Sequence, residues 1–290
     1  MILQELFSKA LVTPPRWLPQ NTVYMTIMGS IAYQTSDDKS DFDIYGFCIP
    51  PKDLIWGKPD EIPGFGRQIQ RFESWQQHHV NHGDKEYDFN IMSIVQFFNL
   101  AMNNNPNVID AIFTPNDCVL HQTKIAKLVR DNANLFLHKG YYHKSLGYAY
   151  SQIKKLKTEA EPGSRREADI KAKGYDSKHL MHAVRLALQC QQVLEEGTID
   201  LTRHKDRLRL IRAGGVPLEK TLEWFSDQEK FLLELYKKST LKYSPDEGQI
   251  KELLVQCLKD HYGNIEDRYK DINAERKALM EIQAILDKVV

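Results

Sequence analysis

The sequence predicts an α+β protein, with a small mixed-sheet domain over residues 1–121 followed by an all-helical domain over residues 122–290. Three observations carry that expectation. Short β-branched and apolar runs bounded by glycine and proline are confined to the first part of the chain. Beyond residue 121 the apolar residues recur at three- and four-residue intervals, as they do on one face of a helix. Polar breaks such as Glu161-Pro162-Gly163-Ser164, Gly214-Gly215 and Ser244-Pro245-Asp246 separate those stretches.

Taken in chain order, Thr22 to Met28 reads as a strand that stops at Gly29-Ser30 and leads into a short helix-compatible stretch. The polar run TSDDKSD suits a loop. Asp41 to Ile49 then reads as a second strand, neighbouring the first, with Phe42, Ile44 and Phe47 as its apolar residues and Pro50-Pro51 as its end. Residues 51–85 read as an insertion with a hairpin around Gln68 to Val80, and Glu86 to Met92 as a further strand. From Ser93 the pattern SIVQFFNLAM has helical spacing, Asn103 to Asn107 breaks it, and another helix follows from about Val108. Amphipathic helices are expected at 122–137, 141–160, 176–196, 217–238, 247–261 and 264–288.

Composition narrows the function classes. Across 290 residues, 42% are hydrophobic and 27% charged, the balance of a globular chain able to bury a core. The 39 basic and 39 acidic residues cancel, so any nucleic-acid contact must use a local patch. Cys48, Cys118, Cys190 and Cys257 are widely spaced and form neither a CxxC pair nor a zinc pattern, which reads as a reducing, cytoplasmic setting. No secretion signal and no membrane-length apolar run is visible.

Chemistry concentrates around the second strand. Side chains alternate along a strand, so Asp41 and Asp43 share one face about 6 to 7 Å apart while Phe42 and Ile44 turn to the core. Two carboxylates fixed this way can grip hard cations. Mg²⁺, or Mn²⁺ in its place, takes oxygen ligands, and two such ions roughly 3.5 to 4 Å apart can activate a hydroxyl and stabilise a leaving pyrophosphate. Just upstream, Gly29 lets backbone approach a phosphate, and Ser30 adds a hydroxyl donor. Asp88, in the triplet Tyr87-Asp88-Phe89, is the candidate third carboxylate and general base, with Glu86 on the same strand face as its reserve.

Each part is common by itself: a lone DxD, a Gly-Ser turn and an acidic residue in a strand usually carry no chemistry. Their order is more specific. Strand, Gly-Ser, helix, loop, strand with D-x-D and later strand with an acid between apolar residues resembles the polymerase-beta nucleotidyltransferase superfamily. MGSIAYQTSDDKSDFDIYGFCIPP and NNNPNVIDAIFTP are similar to a family of bacterial and phage nucleotidyltransferases, some associated with RNA ligases and RNA repair. GYDSKHLMHAVRLALQCQQVLEEG resembles that family's K-x-x-x-H-x-x-R-L helix, and HKDRLRLIRAGGV the segment after it, so the likeness covers most of residues 20–215. It implies Gly29 and Ser30 on the triphosphate, and Asp41, Asp43 and Asp88 on metal ions.

On a helix starting at Asp176 or Ser177, Lys178, His182 and Arg185 share one face and form a candidate nucleotide-binding set. Lys154, Lys155 and Lys157, with Arg203, Lys205, Arg207, Arg209 and Arg212, make two basic clusters that suit RNA phosphates as well as an ordinary solvated surface. Tyr148 and Tyr150 nearby could stack on a base, although helical tyrosines are more often core. His78, His79 and His82 lack the partners of a zinc site, and Trp75 and Trp224 read as packing residues. The expected activity is transfer of a nucleoside monophosphate from an NTP to a hydroxyl, an RNA end foremost. Modification of a protein or small molecule, and a silent nucleotide-binding module, are the alternatives.

Overall fold

The computed structural model describes residues 1–36, 41–56, 71–157, 165–263 and 281–282. Helices α1 (Ile2–Ser8) and α2 (Leu18–Asn21) lead into strand β1 (Thr22–Ile27), after which α3 (Gly29–Ala32) and β2 (Phe42–Cys48) follow. Helix α4 (Asp53–Trp56) precedes the hairpin of β3 (Ser74–His82) and β4 (Lys85–Ser93). Then come α5 (Ile94–Met102), α6 (Pro106–Ile112), β5 (Val119–Gln122) and α7 (Lys124–Asp131). The remainder is helical: α8 (Gly140–Lys154), α9 (Arg165–Lys173), α10 (Ser177–Glu196), α11 (Lys205–Ala213), α12 (Leu218–Lys238) and α13 (Glu247–Tyr262).

The strands form one mixed sheet in the order β3-β4-β2-β1-β5. Adjacent strands are antiparallel except β2 and β4, which run parallel. A parallel pair needs a long crossover, and α4 and β3 supply it here. The mixed-sheet α+β class expected from the sequence is therefore present, with strand ends within a residue or two of those expected. Strand β5, α9 and α11 are not among the expected elements: β5 is a four-residue edge strand ending in His121-Gln122, α9 is mostly polar, and α11 is nine residues long with Leu208 and Ile211 as its buried apolar pair. The expected hairpin at Gln68 to Val80 is shifted onto 74–93. Residues 57–70, the Glu161 to Ser164 loop and nearly all of the expected 264–288 helix lie outside the described residues.

Local signals explain where the central helices begin. Ser93 accepts a hydrogen bond from the Gln96 amide at 3.1 Å and starts α5, and Asn105 does the same for Asn107 and Val108 ahead of Pro106, the first residue of α6. Asp176 caps α10 through the Lys178 and His179 amides, and Gly197 ends that helix at φ +65°. The expected division at residue 121 falls inside β5. A single hydrophobic cluster runs across it from Leu3, Tyr24, Ile44 and Phe89 to Ala187, Leu232 and Leu258. A second, smaller cluster joins Leu156, Leu180, Val184, Leu208 and Ile211 beneath α11.

Candidate active site

Asp43 lies in β2 and Asp88 in β4, and the two are direct partners across the parallel pair. Neighbouring strands stand about 4.7–4.9 Å apart, so both carboxylates project from one face, and Asp88 acts on the charge of Asp43. On the opposite face Phe42 packs on Tyr87 with ring centroids 5.4 Å apart, and Ile44 and Phe89 are fully buried. That packing fixes which way the acids point. Asp41 sits one residue before β2, exposed, and acts electrostatically on Asp43.

Gly29 closes the site from the side of β1. Its φ of +66° is one that L side chains rarely adopt, and a Cβ built there would collide with Asp43 Oδ2 and lie 3.3 Å from the carboxyl carbon. The residue is glycine because the turn and the carboxylate occupy the same space. The Met28 amide donates to the Asp43 carbonyl at 2.7 Å, which ties the turn to β2. Ser30 follows in the first turn of α3, partly exposed.

Burial holds the Asp43 carboxyl above the usual carboxylate range. Asp88 and Asp41 add to the rise, whereas Lys178 and then His78 oppose it. Carboxylates brought together on one sheet face are the donor set that a divalent oxygen-seeking ion fits. Asp88 is held in turn by β3, where the register slips between Gln77 and Val80 and His79 takes φ +57°. That bulge aims the His79 amide at Asp88 Oδ1, at 2.8 Å, with His78 Nδ1 3.6 Å from the same oxygen. The His79 ring pairs with Glu86, so Glu86 is engaged along the hairpin while Asp88 faces Asp43. His79, Glu86 and Asp88 offer ligand atoms within 4.8 Å of one another, the metal-compatible group of this kind among the described residues.

The face of α10 expected on the triphosphate divides in two. Lys178 is exposed and close enough to Asp43 to act on its charge. His182 is pushed well below the usual imidazole value by burial first and then by the charges of Arg185 and Lys178, so at neutral pH its ring is an uncharged donor or acceptor. Arg185 is buried and faces Asp110, to which Nη1 is bonded, and it also donates to Gln189 Oε1 at 2.9 Å. Its guanidinium lies 4.2 Å from the centre of the Tyr33 ring, and Tyr33 donates to Asp110 Oδ2 at 2.7 Å. Arg185 is thus engaged in the core by Asp110, Gln189 and Tyr33, and is not exposed beside Lys178. Helical spacing placed it on the right face, but that face runs from solvent into the core within two turns.

Asp110 and Tyr33 escaped the sequence reading. A signal was present in NVIDAIF, where an acid sits among apolar residues of a short helix and is 0% exposed, an arrangement that requires a buried partner. The second basic cluster also has protein partners. Arg203 pairs with Glu196, Arg207 lies 3.8 Å over Trp224, and Arg212 reaches Asp169 at 3.3 Å. Lys205 and Arg209 bond the side chain and carbonyl of Gln34, at 2.8 and 2.6 Å, and so clamp the loop that follows α3.

Carboxylates gathered on one sheet face beside a glycine-serine turn are the arrangement of polymerase-beta-type nucleotidyltransferases. The chain matches the model of the RNA repair pathway DNA polymerase beta family over residues 4–225, and it belongs to that family. It is accordingly a nucleotidyltransferase of the polymerase-beta type. A nucleotidyltransferase-like protein from Exiguobacterium sibiricum 255-15 is similar over 88% of this chain and 71% of its own, at 9% identity and a TM-score of 0.30, too low to carry further argument. None of the curated proteins compared with the chain matches it. Among the described residues, no helix is long and apolar enough to cross a membrane. The four cysteines are buried and free.

Proposed function

We propose that the protein transfers a nucleoside monophosphate from an NTP to a hydroxyl at an RNA end and releases pyrophosphate. The observation that carries this reading is the direct pairing of Asp43 with Asp88 on adjacent strands, with Gly29 pressed against the Asp43 carboxylate. RNA as the acceptor is supported by the name of the family, which places its members in RNA repair.

Asp41, Asp43 and Asp88 would hold two Mg²⁺ or Mn²⁺ ions, which when bound supply Lewis acidity at the attacking and leaving oxygens. The chain's own groups do the rest. Gly29 and Ser30 cradle the β- and γ-phosphates, and the Lys178 ammonium draws the same oxygens by charge-assisted bonding. His182 stays neutral and donates without adding charge. Asp88, oriented by the His79 amide, accepts the proton of the acceptor hydroxyl. A bond then forms between that oxygen and the α-phosphorus, the bond to the bridging oxygen breaks, and pyrophosphate leaves.

Incubation with each labelled NTP, Mg²⁺ or Mn²⁺ and a mixed RNA pool tests this directly. Label should enter RNA with release of pyrophosphate, and Asp43→Asn should lower the rate roughly a thousandfold, the loss of several kcal/mol of transition-state stabilisation. Near-normal turnover in Asp43→Asn would overturn the assignment of that carboxylate, and label entering only protein or a small molecule would overturn the acceptor.

A further inference from the structure

One step along the strands from the acids, the same sheet face opens into a cavity of about 190 Å³. Tyr45 and Asn90 are direct partners across β2 and β4, two residues beyond Asp43 and Asp88, and therefore lie about 6 to 7 Å further along the same face. Gln76 continues the row on β3, opposite Asn90, while Asn105 and Asn107 enter from the start of α6. Among the described residues, none that lines the cavity is charged. Carboxamides dominate it, and each offers both a donor pair and an acceptor.

Two further features point to a ligand. Asn90 Oδ1 is buried and, among the described residues, has no hydrogen-bond partner, a state that costs free energy unless something fills it. Tyr148 on α8, 38% exposed, adjoins the lining through Asn105, whose Nδ2 donates to its hydroxyl at 3.2 Å. The cavity is smaller than the roughly 300–1,000 Å³ of a site for a whole drug-sized molecule, so it suits one ring system. An uncharged pocket of amide donors and acceptors with one tyrosine in its wall and another beside it has the chemistry of a nucleobase site, where rings stack and edges are read by hydrogen bonds.

We propose that this pocket binds the terminal nucleobase of the acceptor strand. The inference rests on the function proposed above. In-line displacement requires the attacking oxygen to sit opposite the leaving pyrophosphate. Gly29 closes the β1 side of Asp43, whereas the pocket lies two residues further along β2 and β4, with Gln76 of β3 on the side away from β1. A base held there brings its own sugar hydroxyl toward Asp88. The base of the NTP is left to the other end of the cleft.

The test compares the parent with Tyr148→Ala, which touches an exposed side chain, and Asn90→Leu, which keeps shape and removes the amide. Oligoribonucleotides ending in each of the four bases serve as acceptors, and KM is measured separately for acceptor and NTP. Both variants should raise acceptor KM about tenfold, the loss expected for one stacked or hydrogen-bonded base, with NTP KM unchanged. Asn90→Leu should also alter the ranking of terminal bases. A rise in NTP KM instead would show that the pocket holds the incoming base, and unchanged constants for both substrates would show an ordinary polar surface. Calorimetry of a ribonucleotide trimer with the full chain, without NTP, separates failure of the pocket from failure of the proposed function. If the parent binds the trimer and Tyr148→Ala does not, the pocket stands even where no transfer to RNA occurs. Absence of trimer binding by the parent overturns it.

Discussion

Lys178 and Arg185 show how far a pair of cations seven residues apart on one helix can diverge. Lys178 lies in the first turn of α10 and is exposed, so its removal leaves no partner stranded. Arg185 is 6% exposed, and truncating it would leave the Asp110 carboxyl in the core without its cation. Breaking a buried pair from one side costs about 3–5 kcal/mol, a large part of a net stability of about 5–15 kcal/mol. Lys178→Ala should accordingly keep its melting temperature and raise KM for NTP about tenfold, the equivalent of one charge-assisted bond. Arg185→Ala should melt well below the parent, and any loss of activity should follow from a displaced Gly29-Ser30 turn. Equal NTP constants in Lys178→Ala and the parent would reduce Lys178 to solvated surface. An unchanged melting temperature in Arg185→Ala would show that the Arg185–Asp110 pair does not hold the core.

At the scale of elements, α10 carries a pH dependence that its composition alone does not announce. His182 has its folded value lowered well below 6.5, by burial before any charge. Below the unfolded value, the unfolded chain binds a proton that the folded chain refuses, so stability is fully present above pH 6.5 and falls as the pH drops beneath it. The loss approaches about 1.4 kcal/mol per pH unit for one such group. His179, His204 and His261 shift in the same direction, so the informative quantity is the difference between parent and His182→Gln. Urea midpoints at pH 7.5 and 5.5 should fall less steeply in the variant, and parallel slopes would remove His182 as a source. Part of this candidate site was legible in the sequence, because strand alternation turns Asp43 away from Phe42 and Ile44, whereas the pairing of Asp43 with Asp88 belongs to the β2–β4 register. Helix periodicity likewise aligned Lys178, His182 and Arg185. It could not tell where that face leaves solvent, since Asp110 lies far away in sequence. The bulge at His79 was equally hidden, because a positive φ at a non-glycine residue is imposed by the pairing of β3 with β4.

For the whole molecule, the expectation of a sheet domain followed by a helical one is met in element order, but packing crosses the border between them. The family match ends at residue 225, within α12, yet Leu232 of α12 and Ile250, Leu253 and Leu258 of α13 are buried in the same cluster as the sheet. Helix α13 packs on α5 and α7, and Tyr262 reaches the Pro50 carbonyl at the end of β2. Each of those four apolar side chains contributes about 1.5–3 kcal/mol when buried, so their joint loss rivals the net stability of the domain. Truncation after residue 225 should therefore abolish cooperative unfolding and expose apolar surface, even though every candidate catalytic residue is retained. Thermal unfolding and dye binding on the truncated chain check this against the parent. A truncated chain that melts cooperatively near the parent temperature would show that α13 merely decorates a core already complete without it. The packing argues otherwise, because α13 covers α5, and α5 leads directly out of the strand that presents Asp88.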